Sequence, residues 1–122
     1  MANKAKGIVK LNADYSLRYT TNALVELEET LGLTVPEILV RFERGGIGFK
    51  AIRTIVWAGL IHQFDNGDGT YDFTLTEAGD LIDELGFEAV MEKVTQALES
   101  AFPESENKPN RATRRQGVTA KN

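Results

Sequence analysis

The sequence predicts a mainly α protein with a small β component. An N-terminal β-hairpin packs on a compact bundle of about five helices, and a disordered basic C-terminal tail comes after them. Three observations lead there. Apolar residues recur at helical spacing in successive segments between Asn22 and Phe102, each bounded by a capping residue or a glycine. One short stretch of alternating character precedes them. The charge then changes sign: through Pro103 there are 9 Lys/Arg against 16 Asp/Glu, net −7, and from Glu104 onward 5 against 2, net +3. Beyond Phe102 only Val118 is a sizeable aliphatic, so that end cannot bury enough surface to offset its ordering entropy. The 122 residues therefore divide into a folded domain, 1–103, and a flexible basic tail, 104–122.

The elements are justified in order. Gly7–Leu11 and Tyr15–Tyr19 read as two strands joined by Asn12-Ala13-Asp14. Leu17 shares a face with Tyr15 and Tyr19 at period 2, and an isolated hairpin is marginal in water, so this one must pack on the helices after it. Thr21 or Asn22 can cap a first helix with Leu24, Leu27 and Leu31 on one face and Gly32 as its stop. Thr34-Val-Pro-Glu37 is a capping box with proline in the first turn, opening a helix with Val35, Ile38, Leu39 and Phe42 inward and Gly45-Gly46 at its end. Gly48–Phe64 reads as a longer helix, apolar nearly all round from Ile55 to Ile61, and hence as the central buried element. Ile55, Val56 and Leu60 should be almost fully buried, whereas Phe49 and Trp57 fit a core or an exposed groove equally well. Thr76 caps a fourth helix, with Ala78, Leu81, Ile82 and Leu85 inward and Gly86 at its end. The fifth places Phe87, Val90, Met91, Val94, Leu98 and Phe102 on one stripe.

Composition excludes several classes of function. With no cysteine there is no disulfide scaffold, thiol nucleophile or thiolate zinc site, and the one histidine leaves no His pair for a metal. The longest unbroken apolar run, Ile55–Ile61, is far shorter than the ~20 residues of a membrane span. No signal-peptide core succeeds the polar start, so a soluble cytoplasmic protein is the default. An overall charge of −4, and a body at −7 without a basic helix face, argue against nucleic acid as a partner.

Four constellations could carry chemistry. The run Asp65-Asn-Gly-Asp-Gly-Thr70 resembles a calcium loop, but no register supplies its ligands. With Gly69 at the glycine position, Phe64 falls at the first ligand position and Leu75 at the last; with Asp65 first, Thr70 replaces the glycine. A tight Asn-Gly/Asp-Gly turn is the better reading, with Tyr71–Leu75 briefly extended. His62 reads as a helix-end cap or interface residue, and Asp80, Asp83 and Glu84 as a solvated face. The fourth is the tail: on a helix, Arg111, Arg114 and Arg115 share one side, which suits an acidic partner, or RNA, bound by a segment that folds as it binds. A merely solubilising tail explains these arginines as well. No cofactor, metal or catalytic residue is expected.

Leu24-Val-Glu-Leu-Glu-Glu-Thr-Leu-Gly32, Arg53-Thr-Ile-Val-Trp-Ala-Gly-Leu-Ile-His62 and Leu75-Thr-Glu-Ala-Gly-Asp-Leu-Ile82, in that order, resemble the gene-transfer-agent family of small phage tail proteins. The resemblance runs roughly from Gly7 to Ala101, and the Asn-Arg-Ala-x-Arg-Arg ending is similar to that of phage tail assembly chaperones. The stretch Asp65–Phe73 is longer than the short acidic link usual there. The resemblance implies a non-enzymatic tail assembly chaperone of the bacterial host cytoplasm, absent from the mature particle. Such a protein keeps the tape measure protein soluble and recruits tail tube protein subunits around it. Many copies along one rod imply weak self-association, a possible homo-oligomer. Two alternatives stay open: a minor structural tail tube component retained in the particle, and, behind it, a small nucleic-acid-binding regulator.

Overall fold

The computed structural model describes residues 7–102, and its order of elements is the expected one. Strand β1 (Ile8–Lys10) pairs antiparallel with β2 (Ser16–Arg18), Val9 opposite Leu17. Both strands are shorter than the expected segments. The connection closes on Asn12, whose Oδ1 accepts the amides of Asp14 and Tyr15, each at 2.8 Å. Five helices come next: α1 (Thr21–Leu31), α2 (Val35–Glu43), α3 (Phe49–Leu60), α4 (Leu75–Leu85) and α5 (Phe87–Ala101). Helix α3 is the hub. The face of β2, α1 and α4 all lie against it, and α5 packs on both strands and on α4. No described helix is long and apolar enough to cross a membrane.

Local chemistry sets the boundaries. The cap of α1 is Thr20, not Thr21 or Asn22: Thr20 still carries the extended backbone of β2, and its hydroxyl accepts the amide of Ala23 at 3.1 Å. Gly32 ends α1 in the left-handed conformation, φ 71°, open to glycine at little cost. The capping box at Thr34 and Glu37 forms as expected. Hydrogen bonds from the backbone and side chain of Thr34 hold the Glu37 carboxyl below its ordinary pKa. Glu28 of α1 reaches across to the amide of Val35 at 2.7 Å, joining the two helices. The α4 cap is Thr74 and not Thr76. Thr74 and Glu77 form a second capping box, with Phe73 and Ala78 buried on either side of it. Both threonines precede the apolar stripe, but only Thr74 has a glutamate three residues on.

The expected helix Gly48–Phe64 divides into α3 and a 3₁₀ turn, Ile61–Phe64. The turn is where the chain grips the hairpin. Gln63 accepts the amide of Ser16 at 2.6 Å and donates to the carbonyl of Asp14 at 3.1 Å, and His62 Nε2 lies 2.8 Å from the Ser16 carbonyl.

Ile55, Val56 and Leu60 are at 1% exposure or less, as the all-round apolar pattern requires. Leu17, Tyr19, Leu27, Val90 and Val94 join the same core. Within it the Tyr19 hydroxyl donates to the Ile55 carbonyl at 2.6 Å, and burial pushes the phenol well above its ordinary pKa of 10.0. The neutral form is thus the one the fold accepts. Its contribution is whole below pH 10 and is lost as pH rises beyond the unfolded value. Tyr19→Phe should cost about 0.5–1.5 kcal/mol at pH 7, the worth of one hydrogen bond. It should also flatten the loss of stability above pH 10, read from urea midpoints against pH.

Candidate protein-binding surface

The outer side of α2 is thinly covered. Only Val35 and Ile38 of this helix are buried, leaving Leu39 and Phe42 half-exposed and Val40 exposed. Proline in the first turn and the capping box fix where the helix starts, so these side chains stand along a defined edge. Beside them run two open concavities that meet at Leu39 and Phe102. One, of about 460 Å³, lies between α1 and α2 and is floored by Leu24, Val25 and Val35. The other, of about 310 Å³, lies between α2 and α5 and is floored by Phe42 and Leu98. Together they form an apolar furrow. Glu43 and Glu99 stand exposed at its rim, and Glu28 lines it while holding the amide of Val35. An apolar floor with acidic edges suits an amphipathic helix whose apolar stripe is flanked by Lys or Arg.

The other constellations fall into place around it. The loop after the 3₁₀ turn is built on its own polar groups: Asp65 accepts the amide of Gly67, and Asp68 accepts both the amide and the hydroxyl of Thr70. Those bonds hold the Asp68 carboxyl below its ordinary pKa. Gly67 and Gly69 adopt φ 85° and 92°, and Asp65 bridges Tyr71 across the loop. The tight turn is as expected, but of the expected extended stretch Tyr71–Leu75 only Tyr71 pairs, because Leu75 already opens α4; Phe73 returns to the core. His62 serves the hairpin, and Asp80, Asp83 and Glu84 are solvated.

Trp57 is half-buried and donates from Nε1 to the Phe73 carbonyl at 2.7 Å, whereas Phe49 is 78% exposed. Phe87, expected on the inward stripe of α5, is instead 41% exposed and packs edge-to-face on Phe49. It is the first residue of α5, before the helix meets the sheet, so burial on the stripe starts at Val90 and continues at Val94 and Leu98, while Met91 and Phe102 are half-buried. Arg111, Arg114 and Arg115, the tail residues expected to engage a partner, lie outside the described residues. The furrow itself was missed. Its signal was the half-apolar face of α2, which looks like core until the neighbouring helices are placed.

A family model described as phage tail tube protein, GTA-gp10, matches residues 11–102, nearly the whole described domain from the end of the hairpin's first strand to Phe102. The chain belongs to this family. No curated protein and no solved structure matches it. The GTA-gp10 match places the chain among phage-type tail proteins and covers β2 and all five helices. For this member of the GTA-gp10 family the furrow of α1, α2 and α5 therefore lies within the matched region.

Proposed function

We propose that this GTA-gp10 family member helps build the tail tube as a non-enzymatic assembly chaperone, binding the tape measure protein and presenting tail tube subunits to it. The observation that carries this reading is the acid-rimmed apolar furrow. A long tape measure helix awaiting its tube exposes apolar surface that aggregates unless covered, and a small acidic domain with such a furrow can cover it. The scarcity of sheet among the described residues supports the same reading: two strands of three residues offer little edge for a tube wall made of joined sheets. The basic segment carrying Arg111, Arg114 and Arg115 supplies a second contact, able to grip carboxylates bidentately.

The family's description speaks at least as directly for a second reading, a tail tube component that stays in the particle. Quantitative proteomics of purified particles and of assembly intermediates separates the two. The chaperone reading expects this chain with tape measure and tube proteins in intermediates and its depletion from finished particles. Stoichiometric retention would establish the component reading instead. Leu39→Glu, at the centre of the furrow, should reduce co-purification with its tail partner at least tenfold, because it places a charge on the apolar floor. Unchanged recovery by a folded Leu39→Glu protein would remove the furrow from the interaction.

A further inference from the structure

Apart from the furrow, the N-terminal part of α3 and the body of α4 enclose an open groove of about 560 Å³. Its mouth carries the Phe49–Phe87 pair, ring centroids 5.8 Å apart and 66° between planes. A scattered exposed leucine is ordinary on a soluble protein, but two phenylalanines held against each other in solvent form an organised apolar patch. The walls differ in charge. Lys50 and Arg53 line the α3 side, and Asp80 and Asp83 the α4 side. Gly79 permits this arrangement, because a Cβ there would lie 3.2 Å from Arg53 Cδ; the arginine stem runs against the bare backbone of α4. Arg53 Nε is buried without a hydrogen-bond partner, so no carboxylate among the described residues holds that guanidinium side-on.

We propose that this groove is a self-association surface, in which two copies of the chain meet about a two-fold axis. A two-fold contact sets one patch against itself, so each residue class must find its complement within the same patch. This groove meets that condition. Rotation brings the Lys50/Arg53 wall of one copy opposite the Asp80/Asp83 wall of the other, twice over, and stacks the two aromatic pairs between them. The rest of the body disfavours such a meeting. It carries net −7 and its furrow is rimmed by glutamates, so two copies repel on most faces. The charge-balanced groove is where acidic copies can approach, and its modest size makes the contact weak. The inference stands apart from the tail-assembly reading and needs neither a tape measure protein nor a tube subunit.

Sedimentation velocity of the full chain from 10 µM to 1 mM provides the test, with circular dichroism confirming that each variant is folded. The wild type should pass from monomer toward dimer as concentration rises, and Phe49→Ser should stay monomeric. Lys50→Glu alone and Asp83→Lys alone should each weaken association at least tenfold. Mixed in equal amounts, those two should associate with each other, because the carboxylate added to the α3 wall of one meets the ammonium added to the α4 wall of the other, and the unaltered walls still pair. A wild type that stays monomeric at 1 mM would overturn the proposal. So would association that survives Phe49→Ser, or a mixture no tighter than its separate components.

Discussion

Leu60→Ala should lower the stability of the domain by about 2–5 kcal/mol, the range for removing a fully enclosed leucine and leaving a cavity. Leu60 is at 0% exposure near the end of α3, the helix on which the hairpin and two other helices rest, so no single element can relax into the space. A small domain commonly holds about 5–15 kcal/mol in all, and the loss would appear as a clear fall in urea midpoint with an unchanged slope. Phe49→Ala, in the same helix but at 78% exposure, should cost about 0.5 kcal/mol or less. The pair separates burial from helix propensity, since both changes introduce alanine into one helix. A cost under about 1 kcal/mol at Leu60 would mean that α3 is a surface element.

Gly59→Ala should destabilise by about 1–3 kcal/mol, opposite in sign to the effect of helix propensity. At an exposed helical position the exchange would gain about 1 kcal/mol. Here a Cβ would lie 2.7 Å from Leu17 Cδ2, 2.8 Å from Tyr19 Cζ and 2.9 Å from Tyr19 Oη. All three are atoms of buried side chains on β2 and the residue after it, which must repack or lift the hairpin off α3. That movement also stretches the 2.6 Å bond from the Tyr19 hydroxyl to the Ile55 carbonyl. Urea titrations should show the loss, and in a Leu17→Ala background it should shrink, because one of the two obstructing side chains is gone. A stabilised Gly59→Ala protein would show that the hairpin does not dock closely on α3.

Much of the helical plan was legible because it rests on local rules. Thr34-Val-Pro-Glu37 opens a helix whatever surrounds it, and Gly32 closes one through backbone freedom alone. The run from Ile55 to Ile61 could only be central, since no face of it suits water. Caps were less certain. Thr20 and Thr74 compete with Thr21, Asn22 and Thr76, and the choice turns on where the preceding backbone ceases to be extended. The break between α3 and the 3₁₀ turn was not legible, because its hydrogen bonds reach Asp14 and Ser16, more than forty residues away in the chain.

The candidate surfaces divide along the same line. Periodicity names a helix's apolar residues but not the neighbour that covers them. Leu39, Phe42 and Phe87 carry the same pattern as Ile38 and Val94, yet only the last two are fully enclosed. By itself the sequence determined the fold class, the order of elements, the hub helix and the resemblance to tail proteins, all properties of short segments and their succession. The tertiary structure decided which apolar residues face solvent, why position 59 is a glycine and how α3 and α4 bring opposite charges across one groove. Those outcomes depend on how distant segments lie against one another, and a linear pattern encodes which side chains seek cover without saying which of them find it.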